Sequence, residues 1–248
     1  MLVDVHAHLD NEIFATILEE TIQECKSHNV KFIINNGLNL DSNLSSINLS
    51  KKFDIIKASL GLYPLEAEKV SSETFEKIED LIFKNKDKII SLGEIGLDGK
   101  YGKDKEKQEK YFNLMLKIAQ DINKPVIVHS RQAEARVVEL LKLNNIQKVV
   151  MHSFTGNKKI AQEVINNNWL FSIPPAIVNS KHFQFIVDMT PIENLLTETD
   201  SPYQYTDKMF NKPYFVEFAI KKIAEIKKIE EELVTQVIHK NFKKHFKT

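Results

Sequence analysis

Several protein classes are excluded by what this sequence has little of. Its one cysteine, Cys25, has no second thiol to pair with, so no disulfide framework holds the fold, and a reducing compartment is expected. Cys25 lies in a helical pattern and reads as a small buried apolar side chain. No run approaches the roughly 18 apolar residues of a membrane span. The chain opens on Leu2-Val3-Asp4-Val5 without a basic segment leading into an apolar one. A cytoplasmic protein with no membrane association is the expectation. Charge of one sign is not in excess: 34 Lys and Arg face 34 Asp and Glu. No global basic field therefore marks a nucleic-acid binder, although a neutral total leaves room for a local basic rim. Arginine is scarce, with Arg131 and Arg136 alone, and the remaining cations are lysines of a solvated surface. No linker, low-complexity run or internal repeat divides the chain. One domain spanning residues 1–248 is expected.

What is present alternates. Eight short runs rich in valine and isoleucine read as strands: Leu2–His8, Lys31–Asn36, Ile55–Leu62, Ile89–Glu94, Val126–Ser130, Lys148–Ser153, Leu170–Ile173 and Leu195–Thr199. Helical rhythm fills the intervals. Phe14, Ile17, Leu18, Thr21, Ile22 and Cys25 recur three and four apart, as do Tyr111, Leu114, Ile118 and Ile122. Val137, Leu140 and Leu141 repeat the pattern, then Ile160, Val164 and Ile165. Two helical stretches, Val216–Ile226 and Glu231–Phe246, close the chain, one more than eight βα units need. Strict alternation implies parallel strands joined by right-handed crossovers. No glycine-rich phosphate loop follows the first strand, as a dinucleotide fold would require. The fold class is therefore α/β, a (β/α)8 TIM barrel with an extra C-terminal helix.

In such a barrel the active site lies at the C-terminal ends of the strands. Ligand-type residues gather there. His6-Ala7-His8 closes strand one, Glu94 strand four, His129 strand five and His152 strand six, and Asp200 follows strand eight. Side chains two apart on a strand share a face. His6 and His8 thus both face inward and can hold one ion with Asp200, a neighbour only if the barrel closes. His129 and His152, on adjacent strands, can hold a second. Glu94 has an oxygen for each ion, since paired catalytic metals sit about 3.5–4 Å apart. The donors are hard or borderline, suited to two divalent ions of zinc, manganese or magnesium. Asp4 and Glu198 sit beneath this ring, as supporting partners or structural carboxylates. His28, His182, His239 and His245 read as surface or packing residues, and Lys240, Lys243, Lys244 and Lys247 as a solvated helix face.

The segments around these residues resemble the TatD-type metal-dependent deoxyribonucleases, a branch of the amidohydrolase-like barrels. They are Val3–Asp10, Gly93-Glu94-Ile95-Gly96-Leu97-Asp98, Pro125–Arg131, His152-Ser153-Phe154-Thr155-Gly156 and Thr199-Asp200-Ser201-Pro202-Tyr203. The resemblance implies a metal-dependent hydrolase of phosphodiester bonds, often a 3′-5′ exonuclease on DNA. It also admits removal of D-amino acids from tRNA. DNA is the implied substrate, with RNA or aminoacyl-tRNA as alternatives, and the chain is expected to act as a monomer or weak oligomer. Phosphotriesterase-like and dihydroorotase-like enzymes usually bridge their metals with a carbamylated lysine, a position Glu94 takes here. One departure stands out. Many relatives carry histidine before the proline that follows strand three, where this chain reads Gly61-Leu62-Tyr63-Pro64.

In the implied chemistry the metal pair activates a water that attacks phosphorus, and Asp200 takes the proton as general base. Arg131 is expected to grip a phosphate with its planar fork. Tyr63 and Tyr203 are expected to hydrogen-bond or stack on the substrate at the mouth. Three functions compete: a nuclease, an ester or amide hydrolase such as a D-aminoacyl-tRNA deacylase, and a silent barrel that only binds a partner. A full ligand set argues against the third.

Overall fold

The computed structural model describes residues 1–204 and 210–247. Eight strands form one sheet in which each pairs in parallel with the next: β1 (Leu2–Ala7), β2 (Val30–Asn36), β3 (Ile56–Leu60), β4 (Ser91–Gly96), β5 (Val126–His129), β6 (Val149–His152), β7 (Leu170–Ile173) and β8 (Leu195–Thr197). Between them run α1 (Leu18–Ser27), α2 (Leu40–Lys52), α3 (Pro64–Ala67), α4 (Ser72–Asn85), α5 (Lys105–Asp121), α6 (Glu134–Leu143), α7 (Lys158–Asn166) and α8 (Lys181–Met189). After β8 come α9 (Val216–Lys227) and the extra C-terminal α10 (Glu231–Phe246).

The ring closes where β1 meets β8. Thr197 Oγ1 donates to the Val3 carbonyl (2.6 Å), Asp200 N to the His6 carbonyl (2.7 Å) and His8 N to the Ser201 carbonyl (2.8 Å). This seam lies beside two of the expected ligand groups. Both faces of the sheet are buried, so the strands read as nearly continuous apolar runs. Cys25 is fully buried beside Ile22 and Phe14 between α1 and the sheet, and burial, then nearby Asp4, pushes its thiol up to about 12. Among the described residues no helix is long and apolar enough to cross a membrane.

The elements differ from expectation in detail. β4 begins at Ser91 and runs on to Gly96, so Glu94 lies inside the strand and does not close it. Ile89 and Ile90 are buried, but Ile89 belongs to the turn after α4, its N–H donating back to Asn85. β1 ends at Ala7 and β8 at Thr197, leaving His8 just past one strand and Asp200 three residues past the other. The first helix starts at Leu18, because Glu12–Phe14 form a single 3-10 turn. Helices α2, α3, α4 and α8 are additional to the six stretches marked by apolar rhythm.

Candidate metal centre

The mouth of the barrel is a cavity of about 390 Å³ lined by His8, Glu94, His129, His152 and Asp200, with Arg131, Tyr63 and Tyr203 on its walls. His6 lies fully buried beneath it. All nine residues expected to act at the site are thus brought to one place.

Two donor sets meet at Glu94. His6 Nε2, His8 Nε2, Glu94 Oε2 and Asp200 Oδ1 form one. Their measured separations are 3.1 Å between the histidines, 3.3 and 3.5 Å from these to Glu94, and 3.6 and 3.4 Å to Asp200. Ligands held at about 2.1 Å around a tetrahedral ion lie roughly 3.4 Å apart, so this spacing fits a cation. On the other side, Glu94 Oε1 lies 2.8 Å from His129 Nδ1 and 3.9 Å from His152 Nε2. That set has fewer donors and leaves coordination positions free, as catalytic ions require.

The far side of each imidazole supports the same assignment. A ligating histidine donates its other N–H to a carbonyl or carboxylate, which fixes the tautomer and aims the lone pair at the ion. His8 Nδ1 donates to the Asn36 carbonyl (2.9 Å), His129 Nε2 to Asp98 Oδ2 (3.1 Å) and His152 Nδ1 to Glu198 Oε2 (2.9 Å). In each case the nitrogen left over faces Glu94. His6 is the exception: its buried Nδ1 has no hydrogen-bond partner among the described residues, and the ring stacks on His152 at 3.7 Å. Burial alone would push Glu94 and Asp200 up. Neighbouring imidazoles outweigh it, His6 foremost for Glu94 and His152 for Asp200, so both are held below the usual carboxylate range.

Local backbone places these groups. Gly61 packs so closely on β4 that a Cβ there would lie 2.4 Å from the Glu94 backbone. Asp200 adopts a left-handed conformation (φ 57°), which aspartate tolerates better than most residues. Among the described residues no hydrogen bond joins Asp4 to the His6 ring. Its carboxylate accepts the N–H of His6 (3.1 Å) and the N–H and hydroxyl of Thr199, clamping β1 to the segment after β8. Glu198 proves to be the partner of His152 and also accepts from Ser153 N and Ser172 Oγ.

Three contributors lay outside the expected set. Asp98 ends the Gly93–Asp98 segment, and only that position hinted at it. It accepts from His129, from the backbone of Lys100 and Tyr101, and from the Tyr63 hydroxyl at 3.4 Å. Burial works to raise Asp98, but the His129 and backbone N–H bonds prevail and hold it at about 2. Gln204 Nε2 donates to Asp200 Oδ2 (2.7 Å). Asn36 acts through a carbonyl, which no side-chain pattern reveals. The other four histidines pack elsewhere: His28 on Tyr214, His182 on the Phe154 carbonyl, His239 on Phe32 and His245 on Phe246. Lys240, Lys243, Lys244 and Lys247 are exposed.

The family model for TatD-related DNases matches residues 3–247. An uncharacterized metal-dependent hydrolase of Methanocaldococcus jannaschii is 34% identical over 99% of this chain and 96% of its own length. The human deoxyribonuclease TATDN3 is 30% identical over 99% of this chain and 94% of its own. Among solved structures, the TatD homologue YJJV from Escherichia coli superposes with a TM-score of 0.93 at 24% identity, covering 100% of this chain and 98% of that one. A phosphotriesterase homology protein from Escherichia coli, complexed with phosphate in its active site, shares the fold at a TM-score of 0.71 and 15% identity, covering 99% of this chain and 97% of its own.

Proposed function

The chain belongs to the TatD-related DNase family and is a metal-dependent hydrolase, and from that premise we propose that it is a 3′-5′ exodeoxyribonuclease working with two divalent ions. The observation that carries this reading is the division of Glu94, whose two oxygens face separate sets of imidazole nitrogens. His6, His8 and Asp200 would hold one ion, His129 and His152 the other, with Glu94 shared; the nitrogen and oxygen donors suit zinc, manganese or magnesium. Such ions lower the pKa of water toward neutrality and neutralise charge on phosphoryl oxygens.

The chain's own groups do the rest. Asp200 is ionised although buried. Its Oδ1 faces His6 and His8, leaving Oδ2, steadied by Gln204, to take the proton from the attacking water. Arg131 makes no ion pair among the described residues, so its guanidinium is free to grip a phosphate at the cavity wall. Tyr203 also lines the cavity, its ring 5.8 Å from that of His8 and its hydroxyl accepting from Asn11. The human relative's name as a deoxyribonuclease supports DNA as substrate.

A second reading, hydrolysis of an aminoacyl-tRNA ester, draws on Tyr63. Its phenol sits where many relatives carry an imidazole, and burial pushes its pKa further above the ordinary range, so it serves as a donor and not a base. The deciding experiment offers metal-reconstituted protein single-stranded DNA, duplex DNA, RNA and D-aminoacyl-tRNA. Cleavage of DNA with release of single nucleotides is expected. Turnover of the tRNA ester alone would replace the nuclease reading with the second.

A further inference from the structure

The loop after β4 carries a side chain that the chemistry above leaves unused. Tyr101 is 54% exposed, which for a single surface aromatic needs no explanation of its own. It does not stand alone. Lys100 Nζ lies 5.0 Å from the centre of its ring, and the Arg131 guanidinium carbon lies 5.7 Å from it. Arg131 in turn lines the cavity of the metal centre. An aromatic face flanked by two cations therefore borders the path into the site.

The loop is held rigid. Gly99 N donates to the Arg131 carbonyl (2.8 Å), Lys100 N and Tyr101 N to Asp98 Oδ1 (2.9 and 2.7 Å), and Gly102 N to the Asp98 carbonyl (3.2 Å). Lys103 N and Asp104 N both donate to Glu68 Oε1 (2.7 and 3.0 Å). Every backbone N–H from 99 to 104 is thus bonded, and Asp98 ties the same loop to His129. A ring presented to solvent on a backbone this well anchored loses little entropy when a planar ligand covers it.

We infer that Tyr101 is a stacking platform for a base of a single-stranded nucleic acid, with Arg131 and Lys100 gripping the flanking phosphates. Aromatic faces interleaved with cations are how proteins hold single strands, because every base offers a π-face and every phosphate a charge. A base stacked on Tyr101 has left its duplex, so the platform selects single strands and frayed ends over blunt duplex. The inference rests on the nucleic-acid reading and adds to it the residue that recognises the strand.

The test is equilibrium binding by fluorescence anisotropy with metal-reconstituted protein. The probes are a labelled phosphorothioate oligothymidylate, which resists cleavage, its blunt duplex, and a phosphorothioate strand of abasic sites. Tyr101→Ala should raise Kd for the base-bearing strand by roughly 5- to 100-fold, the span of one base–aromatic stack. Tyr101→Phe should restore it, and the abasic strand should bind wild type and both variants alike. Unchanged affinity in Tyr101→Ala, or an equal loss on the abasic strand, overturns the inference and leaves the nuclease reading standing. Failure of the wild-type protein to bind any of the strands overturns both.

Discussion

An imidazole can ligate through either ring nitrogen, and the group bonded to the other one decides which. For His129 that group is Asp98, which accepts the Nε2–H hydrogen bond and leaves Nδ1 toward Glu94. Asp98→Asn removes the charge while keeping the shape. It should weaken metal affinity at the set of Glu94, His129 and His152 by about 10- to 100-fold, as loss of such supporting partners does. Isothermal titration with zinc or manganese on folded variant measures it; wild-type affinity would reduce Asp98 to a loop anchor. Tyr63 donates to the same oxygen that His129 contacts, Asp98 Oδ2, and its ring centre lies 5.1 Å from that of His129 in an edge-to-face arrangement. Tyr63→His should raise phosphodiester cleavage near neutral pH, because imidazole exchanges protons there and this phenol does not. Metal content should not change, since no proposed ligand is touched. No gain, beside a loss of tRNA-ester cleavage in Tyr63→Phe, would favour the second reading. The ligand residues themselves were legible because histidines and carboxylates at strand ends are rare without a purpose. Asp98 and Gln204 were not, because they act through other side chains and sit in loops whose course no periodicity predicts.

Single strands and helices show where such legibility stops. The strands announce themselves as valine- and isoleucine-rich runs because both faces are buried, yet their ends shift by one or two residues where burial outlasts pairing, as at Ile89. Helix α2 carries no apolar stripe to read: its buried face includes Ser42, Asn43 and Ser46, and Asn43 bonds both the N–H and the carbonyl of Gly61. That polar contact fixes the chain beside Glu94, so the helix least visible in the sequence serves the site. Between β4 and β5 the pairing depends on Gly96. Its φ of +143° is one that side chains rarely adopt, and a Cβ there would lie 2.0 Å from the His129 carbonyl. Gly96→Ala should therefore cost at least about 2 kcal/mol from strain and the forced separation of the strands. Urea unfolding followed by circular dichroism measures the loss. Stability within about 0.5 kcal/mol of wild type, the range of an ordinary surface change, would show that the strands part freely.

At the scale of the whole barrel, the proposed ligands come from β1, β4, β5, β6 and the segment after β8, so the ions would tie together elements that the chain joins only through helices. The seam between β1 and β8 is the place to look. It holds by a few bonds at the mouth, among them Asp200 N to the His6 carbonyl and His8 N to the Ser201 carbonyl, and three of the four residues named are proposed ligands. Without a cation, Glu94, Asp200, His6 and His8 stand 3.1–3.6 Å apart and hold one another only by sharing protons. An ion bound only by the folded state adds about 4 kcal/mol at a thousand times its Kd. For a chain of this length each kcal/mol moves Tm by roughly 2–4 °C. Saturation with zinc or manganese should therefore raise Tm by roughly 8–16 °C over chelated protein. The gain should grow with metal concentration as mass action requires. Hydrogen exchange distinguishes this from general stiffening: chelation should speed exchange at the amides of His8 and Asp200 while the amides of β2 and β3 keep their protection. A Tm that ignores the metal, with seam amides equally protected in both states, would mean that the ring closes by packing alone and that these side chains hold no ion.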